Sequence, residues 1–537
     1  MNPNESQTSF DNASDVLPQD LFASITRYER ALMANDKPML SELFANDPDN
    51  IPAIRSDCNG TLAGNAAITT FRAHRISAPT RTLRQRIARM LDHNSACVVS
   101  QFAKASGGNV IQTQVWQRID GKWKIVTAHL TYPEPAIDKR IWRIVGTPLV
   151  AATKPGPLSG MRVAVKDLYA VQGQRIGAGN PAFLRTSPTC EQSAPAVRML
   201  LAAGAEVTGI AQTDEFAYSL AGTNVHYGTP PNPKAPGRIS GGSSSGPASA
   251  VACGQADIGL GTDTAGSIRI PSSYQGLWGL RTTHGRISCD LVHPLSQSFD
   301  TVGWMTRDAQ TLAFVGKALM PDKDTANISH TLLISNKLNG CTAPDIRNAF
   351  ELFRDAVQTT IDCGHINTLD GIGQAQFDPM MLDNLLSIFQ VVRGFEAWSN
   401  NGSWVCEHRD DLALEIAMRF DHDSHIPRSQ YEHGLDRLKQ ARSMVRNLIG
   451  NNVLLIPSAS STAPTIMPDD DISNIEDARI HTLRLTSIAG IGGLPAVNIP
   501  LQTADGLPCG ACLIGPAGSD KQLIELAKEL YSKATQQ

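Results

Sequence analysis

Three stretches of the 537-residue sequence place reactive side chains where they could do chemistry. Lys166 ends the apolar run "MRVAVKD". An amine at the end of a buried strand loses hydration, its pKa falls, and its neutral form can act as a base. Ser243, Ser244 and Ser245 stand between glycines in "SGGSSSGPASA". Ser267 lies in "GLGTDTAGSIRIPSS", where a strand gives way to small residues and backbone N–H groups can converge. A serine hydroxyl is a poor nucleophile until a positioned base takes its proton. A lone lysine is usually a solvated surface group and a lone turn serine is usually structural, so only the combination is informative.

The serine run alone admits several readings. "GSSSG" matches the G-x-S-x-G elbow with Ser244 as nucleophile, but that elbow must follow a buried strand, and the preceding "PNPKAPGRIS" holds three prolines and no apolar run. A phosphate cradle would need GK[ST] after it. A flexible linker would continue into polar sequence, whereas this run enters an Ala/Gly/Ser helix.

The elements that must position these residues follow from periodicity. Residues 18–46 predict a helix with Leu21, Ile25, Tyr28, Leu32 and Met33 on one face, broken at Asn35–Pro38 and then resumed. From Asn94 the pattern alternates, and "SACVVSQFAK", "NVIQTQVWQRI" and "KWKIVTAHLTY" predict three strands joined by turns. Helices followed by an antiparallel sheet predict a small α+β domain over 18–132, after a disordered terminus at 1–17. The proline- and glycine-rich stretch 133–160 reads as a linker. Beyond it, over 161–537, strands and helices alternate in α/β fashion: "MRVAVKD", then "SAPAVRMLLAAGAEVTGIAQ", "GPASAVACGQADIGLGTD", "NVLLIPS", "LPAVNIPL" and the closing helix "KQLIELAKELYSKA".

A net charge of −4 leaves no basic footprint for nucleic acid, and no apolar run reaches membrane-spanning length. The start lacks the basic and apolar regions of a signal peptide, and the cysteines form no framework, so a cytoplasmic protein is expected. The Cys509–Cys512 pair sits in a strand-like run and reads as structural thiols. "RFDHDSH" (419–425) lacks metal-ligand spacing, and Trp116 and Trp123 read as core or interface. No metal or cofactor is expected.

Together, "VAVKD", "GGSSSG" and "GTDTAGSIRIP" resemble the amidase signature family, and the resemblance extends over about 145–537 through "NVLLIPSASSTAP", "TSIAGIGGLPAVNIPL" and "ACLIGPAGSDKQLIELA". Within it, "AVKDLYAVQGQRIGAGNPAFLRT", "TDEFAYSLAGTNVHYGTPPNP" and "SQSFDTVGWMTRD" look like plant-type indole-3-acetamide hydrolases. The resemblance implies an α/β fold, a mixed central sheet covered by helices, and a Ser–cisSer–Lys triad. Ser267 would be the nucleophile, Ser243 a bridge in a cis peptide, and Lys166 the base. The backbone N–H groups of Thr264, Ala265, Gly266 and Ser267 would form the oxyanion hole, with Asp263 and Arg269 holding the turn. Two departures stand out: "GGSSSGP" where "GGSSGGS" is usual, and Ala265 where glycine is frequent.

Residues 18–132 resemble the SnoaL-like, AtzH-like cone-shaped α+β barrels through "RYERALMANDKPMLSELF", "AAITTFRAHR" and "IQTQVWQRIDGKWKIVTAHLTYPEP". Such barrels hold small ligands and often pair through their sheets. Tyr28, Arg55, Arg72, Arg75 and His129 are the candidate pocket residues, and arginine forks suit carboxylates. The expectation is a homodimeric serine amidohydrolase of small carboxylic amides. The alternatives are a hydrolase of ureas, carbamates or carboxylated biurets, and a non-catalytic binding protein, against which the intact Lys166, Ser243 and Ser267 speak.

Overall fold

The computed structural model describes residues 17–46, 52–57, 60–73, 81–104, 109–131, 137–320, 322–329, 331–366, 368–466 and 473–535. The chain divides into two compact units, 1–137 and 138–537. The expected disordered terminus lies, apart from Leu17, outside the described residues.

The first unit opens with the helices Gln19–Met33 and Lys37–Leu43. Asp36 caps the second by accepting from the Met39 N–H at 3.1 Å, and Asn35 turns the chain with φ 54°. Leu21, Ile25, Tyr28 and Leu32 are buried as predicted, but Met33, at the helix end, is 52% exposed. Six strands follow: β1 (Ile54–Asp57), β2 (Gly60–Ala63), β3 (Arg81–Asp92), β4 (Ser95–Lys104), β5 (Asn109–Ile119) and β6 (Lys122–Thr131). Their order is β2-β1-β6-β5-β4-β3, with β3 to β6 an antiparallel meander and β1 parallel to β6. The helix Asn65–Ala73 lies between β2 and β3 in sequence. Trp116, Trp123 and Ile125 join Leu21, Ile25 and Phe44 in one apolar core.

The second unit is built on an eleven-stranded mixed sheet. In chain order its strands are β7 (Trp142–Val150), β8 (Arg162–Lys166), β9 (Glu206–Ala211), β10 (Ile258–Thr262), β11 (Trp278–Arg281), β12 (Val302–Thr306), β13 (Thr331–Ile334), β14 (Gly371–Gln374), β15 (Val453–Pro457), β16 (Ala496–Gln502) and β17 (Pro508–Ile514). They lie in the order β14-β13-β15-β17-β16-β11-β12-β10-β8-β9-β7. The neighbouring strands β10, β8 and β9, next to the β7 edge, run parallel, so β8 and β10 deliver Lys166 and the Thr262–Ser267 loop at the same end of the sheet.

The linker expected over 133–160 is corrected by β7, which is the sheet's edge strand and pairs with β9. Its Pro148 follows a cis Thr147–Pro148 peptide inside a register irregularity, and edge strands and bulges are the places where a sheet tolerates proline. Cys509 and Cys512, three apart on β17, face opposite sides of the strand and are buried free thiols, pushed up to about 12 by burial. Among the described residues no helix is long and apolar enough to cross a membrane, and no cluster of three His, Cys, Asp or Glu could hold a metal ion.

Candidate active site

Lys166 is fully buried, and its Nζ lies 2.8 Å from Ser243 Oγ and 2.8 Å from Thr262 Oγ1. Ser243 Oγ in turn lies 3.0 Å from Ser267 Oγ. The end of strand β8 and two loops thus bring three residues into one continuous hydrogen-bonded row. Burial lowers the Lys166 amine to about 7, although Asp214, Asp300 and Asp263 pull the other way. A neutral amine at these distances has hydrogens for one neighbour and a lone pair for the other.

The Gly242–Ser243 peptide is cis. The Ser243 carbonyl accepts from Thr213 Oγ1 at 2.8 Å and from the Asp214 N–H at 3.2 Å. The Gly241 and Gly242 N–H groups donate to the carbonyls of Ala221 and Leu220. Ser244, which the elbow reading would have made the nucleophile, is turned away: its Oγ donates to the Thr262 carbonyl at 3.2 Å.

Asp263 organises the loop that carries Ser267. Its Oδ1 accepts from the Gly266 N–H at 3.0 Å and its Oδ2 from the Ile268 N–H at 3.1 Å. Arg269 forks onto both oxygens at 2.8 and 3.1 Å, and Arg281 donates to Oδ1 at 3.0 Å. Burial alone would raise this carboxyl, but the Arg269 and Arg281 guanidiniums hold it well below the usual carboxylate range. Asp263 and Arg269 are therefore joined as expected of neighbours, while Arg281 comes from the end of β11.

Of the four N–H groups the resemblance assigns to an oxyanion hole, that of Gly266 is committed to Asp263. Those of Thr264, Ala265 and Ser267 have no acceptor among the described residues. Gly266 sits at φ 130°, and a β-carbon there would come within 2.8 Å of Ile270 Cδ1. The strip is braced from outside. Thr264 Oγ1 donates to Asp300 Oδ1 at 2.5 Å, and Thr486 Oγ1 donates to the Ala265 carbonyl at 2.6 Å. Asp300 also accepts from the Leu295 and Ser296 N–H groups, and burial raises it to about 6. Thr262, Thr264 and Asp300 border a cavity of about 270 Å³ that Leu168, Ala217 and His293 help to line.

The N-terminal candidates do not assemble as one group. Tyr28 is buried and accepts from Gln112 Nε2 at 3.0 Å. Arg72 is buried over the Phe44 ring, 4.4 Å from its centroid. Arg55 is buried against Asp57 at 2.8 Å. His129 is exposed and bonds Ser56 Oγ at 2.7 Å. Arg55 pairs across β1 and β6 with buried Ala128, one position from His129, so strand alternation puts His129 on the opposite face. Arg75 lies outside the described residues. The reading missed Arg81, which donates to Glu29 and to Gln112 Oε1, both at 2.8 Å, and Arg86, whose Nε donates to Ser100 Oγ at 3.0 Å. Both arginines point inward from β3; Arg81 reaches Tyr28 through Gln112, and Arg86 approaches the same Glu29 carboxylate at 3.9 Å.

In the second unit the sequence left Thr262, Asp214, Arg281 and Asp300 unassigned. Asp214, Thr262 and Asp300 lie inside quoted motifs, "TDEFAYSLAGTN", "GLGTDTAGS" and "SQSFDTVGWMTRD", which is the only signal they carry.

The Amidase family model matches residues 148–341, and the AtzH-like model matches residues 12–135. Amidase 1 of Arabidopsis thaliana is 33% identical over 413 residues, which is 73% of this chain and 97% of that protein. The 1-carboxybiuret hydrolase subunit AtzE of Pseudomonas sp. (strain ADP) is 42% identical over 167 residues, 31% of this chain and 36% of that one. Among solved structures, a vestigial protein complex described as revealing the evolutionary origins of an s-triazine catabolic enzyme superposes with a TM-score of 0.61 at 25% identity, covering 71% of this chain and 85% of that one.

Proposed function

This chain belongs to the amidase family and is an amide hydrolase, and we propose that Ser267, Ser243 and Lys166 carry its chemistry. The observation behind this assignment is the row Lys166–Ser243–Ser267, 2.8 and 3.0 Å between successive polar atoms and closed off from solvent. Neutral Lys166 takes the Ser243 proton as Ser243 takes that of Ser267, and Ser267 Oγ attacks the amide carbonyl. The oxyanion forms against the free N–H groups of Thr264, Ala265 and Ser267, held by Asp263 and Arg269. Each such donor is worth about 3 kcal/mol in the barrier. The proton then returns through Ser243 to the leaving nitrogen, ammonia or an amine departs, and water opens the acyl-enzyme by the same route. Ammonia release from Ser267→Ala tests this: loss of release is expected, and release at the parent rate overturns the assignment.

The substrate is a small carboxylic amide. The similarity to the carboxybiuret hydrolase subunit over 167 residues favours a second reading, a urea-derived amide. For the first unit we infer a carboxylate-binding interior built on Arg81 and Arg86 beside Tyr28. We also infer a homodimer, because Ile87 of β3 and Val99, its partner on β4, expose apolar surface on the outer face, with Leu91 exposed beside them. Sedimentation of the parent and of Ile87→Glu checks the dimer. Location in the cytoplasm suits a chain whose described cysteines are all free.

A further inference from the structure

The cavity beside Thr262, Thr264 and Asp300 has walls of two kinds. Leu168, Ala217, Ile287, Val292 and Leu295 make it mostly apolar, and His284 and His293 set two imidazoles into that lining. His293 is held on several sides. Its backbone N–H donates to the Leu168 carbonyl at 2.8 Å, and its ring centroid lies 5.0 Å from that of Phe183 and 6.0 Å from that of Phe216. Its Nε2 lies 2.8 Å from Asn401 Oδ1, and Asn401 Nδ2 donates to the Ala397 carbonyl at 3.0 Å. That second bond turns the amide oxygen toward the ring, so Nε2 carries the hydrogen and Nδ1 the lone pair. His284 repeats the arrangement, with Nε2 2.9 Å from the Gln297 carbonyl, which can only accept. Burial lowers both imidazoles below their usual value, which keeps them neutral. Neither Nδ1 has a donor among the described residues, and each keeps accessible surface on a ring that lines the cavity.

Donors along the same wall are already spent. Thr264 Oγ1 donates to Asp300 Oδ1, and Cys289 Sγ donates to the Asp300 carbonyl at 3.8 Å. Asp290 and Asp300 add carboxylates, and no lysine or arginine is among the described lining residues. The cavity therefore offers acceptors and calls for donors. It also adjoins the reacting groups, because Thr264 belongs to the oxyanion strip and Thr262 holds Lys166 Nζ at 2.8 Å. A leaving NH2 occupies about 30 Å³, the share of one water molecule. Most of the 270 Å³ is then left for the rest of the substrate.

We infer that this cavity holds the acyl portion of the substrate and that Nδ1 of His284 and of His293 accept from it, so that the amides cleaved at Ser267 carry an uncharged acyl group with an N–H donor beyond the scissile carbonyl. This rests on the amide-hydrolase reading above. The test uses the full-length protein at about pH 8, where imidazoles and anilines are uncharged. Succinamide, 4-oxopentanamide and succinamate end one frame in NH2, CH3 and O−, and 4-aminophenylacetamide and 4-methylphenylacetamide repeat the first exchange on a ring. The parent is expected to favour each NH2 member over its CH3 partner by about 10-fold in kcat/KM, after allowance for the two amides of succinamide, which is the scale of one neutral hydrogen bond. Succinamate, whose carboxylate would meet only acceptors, should be the poorest of its series. His293→Phe keeps the ring outline without Nδ1 and should erase the NH2 preference while sparing the CH3 members. Thermal unfolding shows whether it is folded, and His284→Phe supplies the same reading if it is not. A parent that favours the CH3 members or succinamate overturns the inference, as does an NH2 preference that survives in both variants. Binding of succinamide and 4-oxopentanamide to Ser267→Ala separates recognition from chemistry. Tighter binding of succinamide supports the inference even if the triad assignment fails, and equal binding overturns it even if the triad stands.

Discussion

The Asp214 carboxylate fills the space a β-carbon on Gly242 would need, its Oδ2 lying 2.2 Å from that position. The same carboxylate accepts the Gly222 N–H at 2.9 Å, and the Asp214 N–H holds the Ser243 carbonyl at 3.2 Å. One aspartate thus packs against the first residue of the Gly242–Ser243 peptide and anchors the second. Burial raises the Asp214 carboxyl to about 6.

Gly242→Ala forces Asp214 or the loop aside and moves the Ser243 hydroxyl out of line. A displacement of about 1 Å at such a site is worth about 100-fold in rate. The expected outcome is a fall in kcat of that order with unfolding behaviour close to the parent's. Ammonia-release kinetics beside a thermal melt check it, and an unchanged kcat would show that the loop has room to spare.

The proposed base, Lys166, sets an expected pH profile. Burial moves its amine from 10.5 to about 7, and the base must be neutral to accept a proton. Activity therefore rises with pH through about 7, and log kcat/KM falls by about one per pH unit below it. A profile flat down to about pH 5 would exclude a lysine base. The linked stability has the same sign. Between about 7 and 10.5 the unfolded chain binds a proton that the folded chain has released, so this group's contribution to stability rises with pH across that window.

Asp263→Asn leaves the buried guanidiniums of Arg269 and Arg281 without their counter-charge. Breaking a buried pair in this way costs about 3–5 kcal/mol. The expected result is a large loss in urea or thermal stability, with no rescue by Asp263→Ala. Stability within about 0.5 kcal/mol of the parent, the range of an ordinary surface substitution, would mean that the arginines find other partners.

In the first unit, Arg81→Met removes the partner of Glu29 and Gln112. Hydrogen bonds to charged groups contribute about 1.5–3 kcal/mol. Hydrogen exchange should show protection lost across β3 to β6 and retained in the eleven-stranded sheet. Loss spread evenly over both units would contradict a role confined to the first.

How much of this was legible depended on whether a residue acts within its own motif or through space. Lys166, Ser243 and Ser267 sit in contiguous, distinctive runs, and their loops carry the pattern with them. Thr262 and Asp263 travel with Ser267 on the same run. Arg281 and Thr486 reach the site only because β11 and the helix Ser473–Gly492 fold onto it, and no local period marks them; Asp300 lies in the run "SQSFDTVGWMTRD", which does not single it out as a brace. Strand β3 was unreadable for another reason. Its inward positions include Arg81 and Arg86 while Ile87 and Leu91 are exposed, and two register shifts, at 83/85 and 90/92, break the alternation that identifies a half-buried strand. In β7 the proline and glycine that usually mark a loop sit instead on a sheet edge, where no further strand needs the N–H that proline lacks.

The relay's isolation has a consequence for isotopic labels. Lys166 and Ser243 are fully buried and Ser267 is 3% exposed, so the hydrogen abstracted from Ser267 has no direct exit to bulk solvent. In a single turnover in deuterated buffer, enzyme taken from ordinary water would hand its own light hydrogen to the first departing nitrogen. On the proposed relay, the exchangeable hydrogens of the Lys166 amine and the two serine hydroxyls are lent at each attack and restored as the hydrolytic water enters.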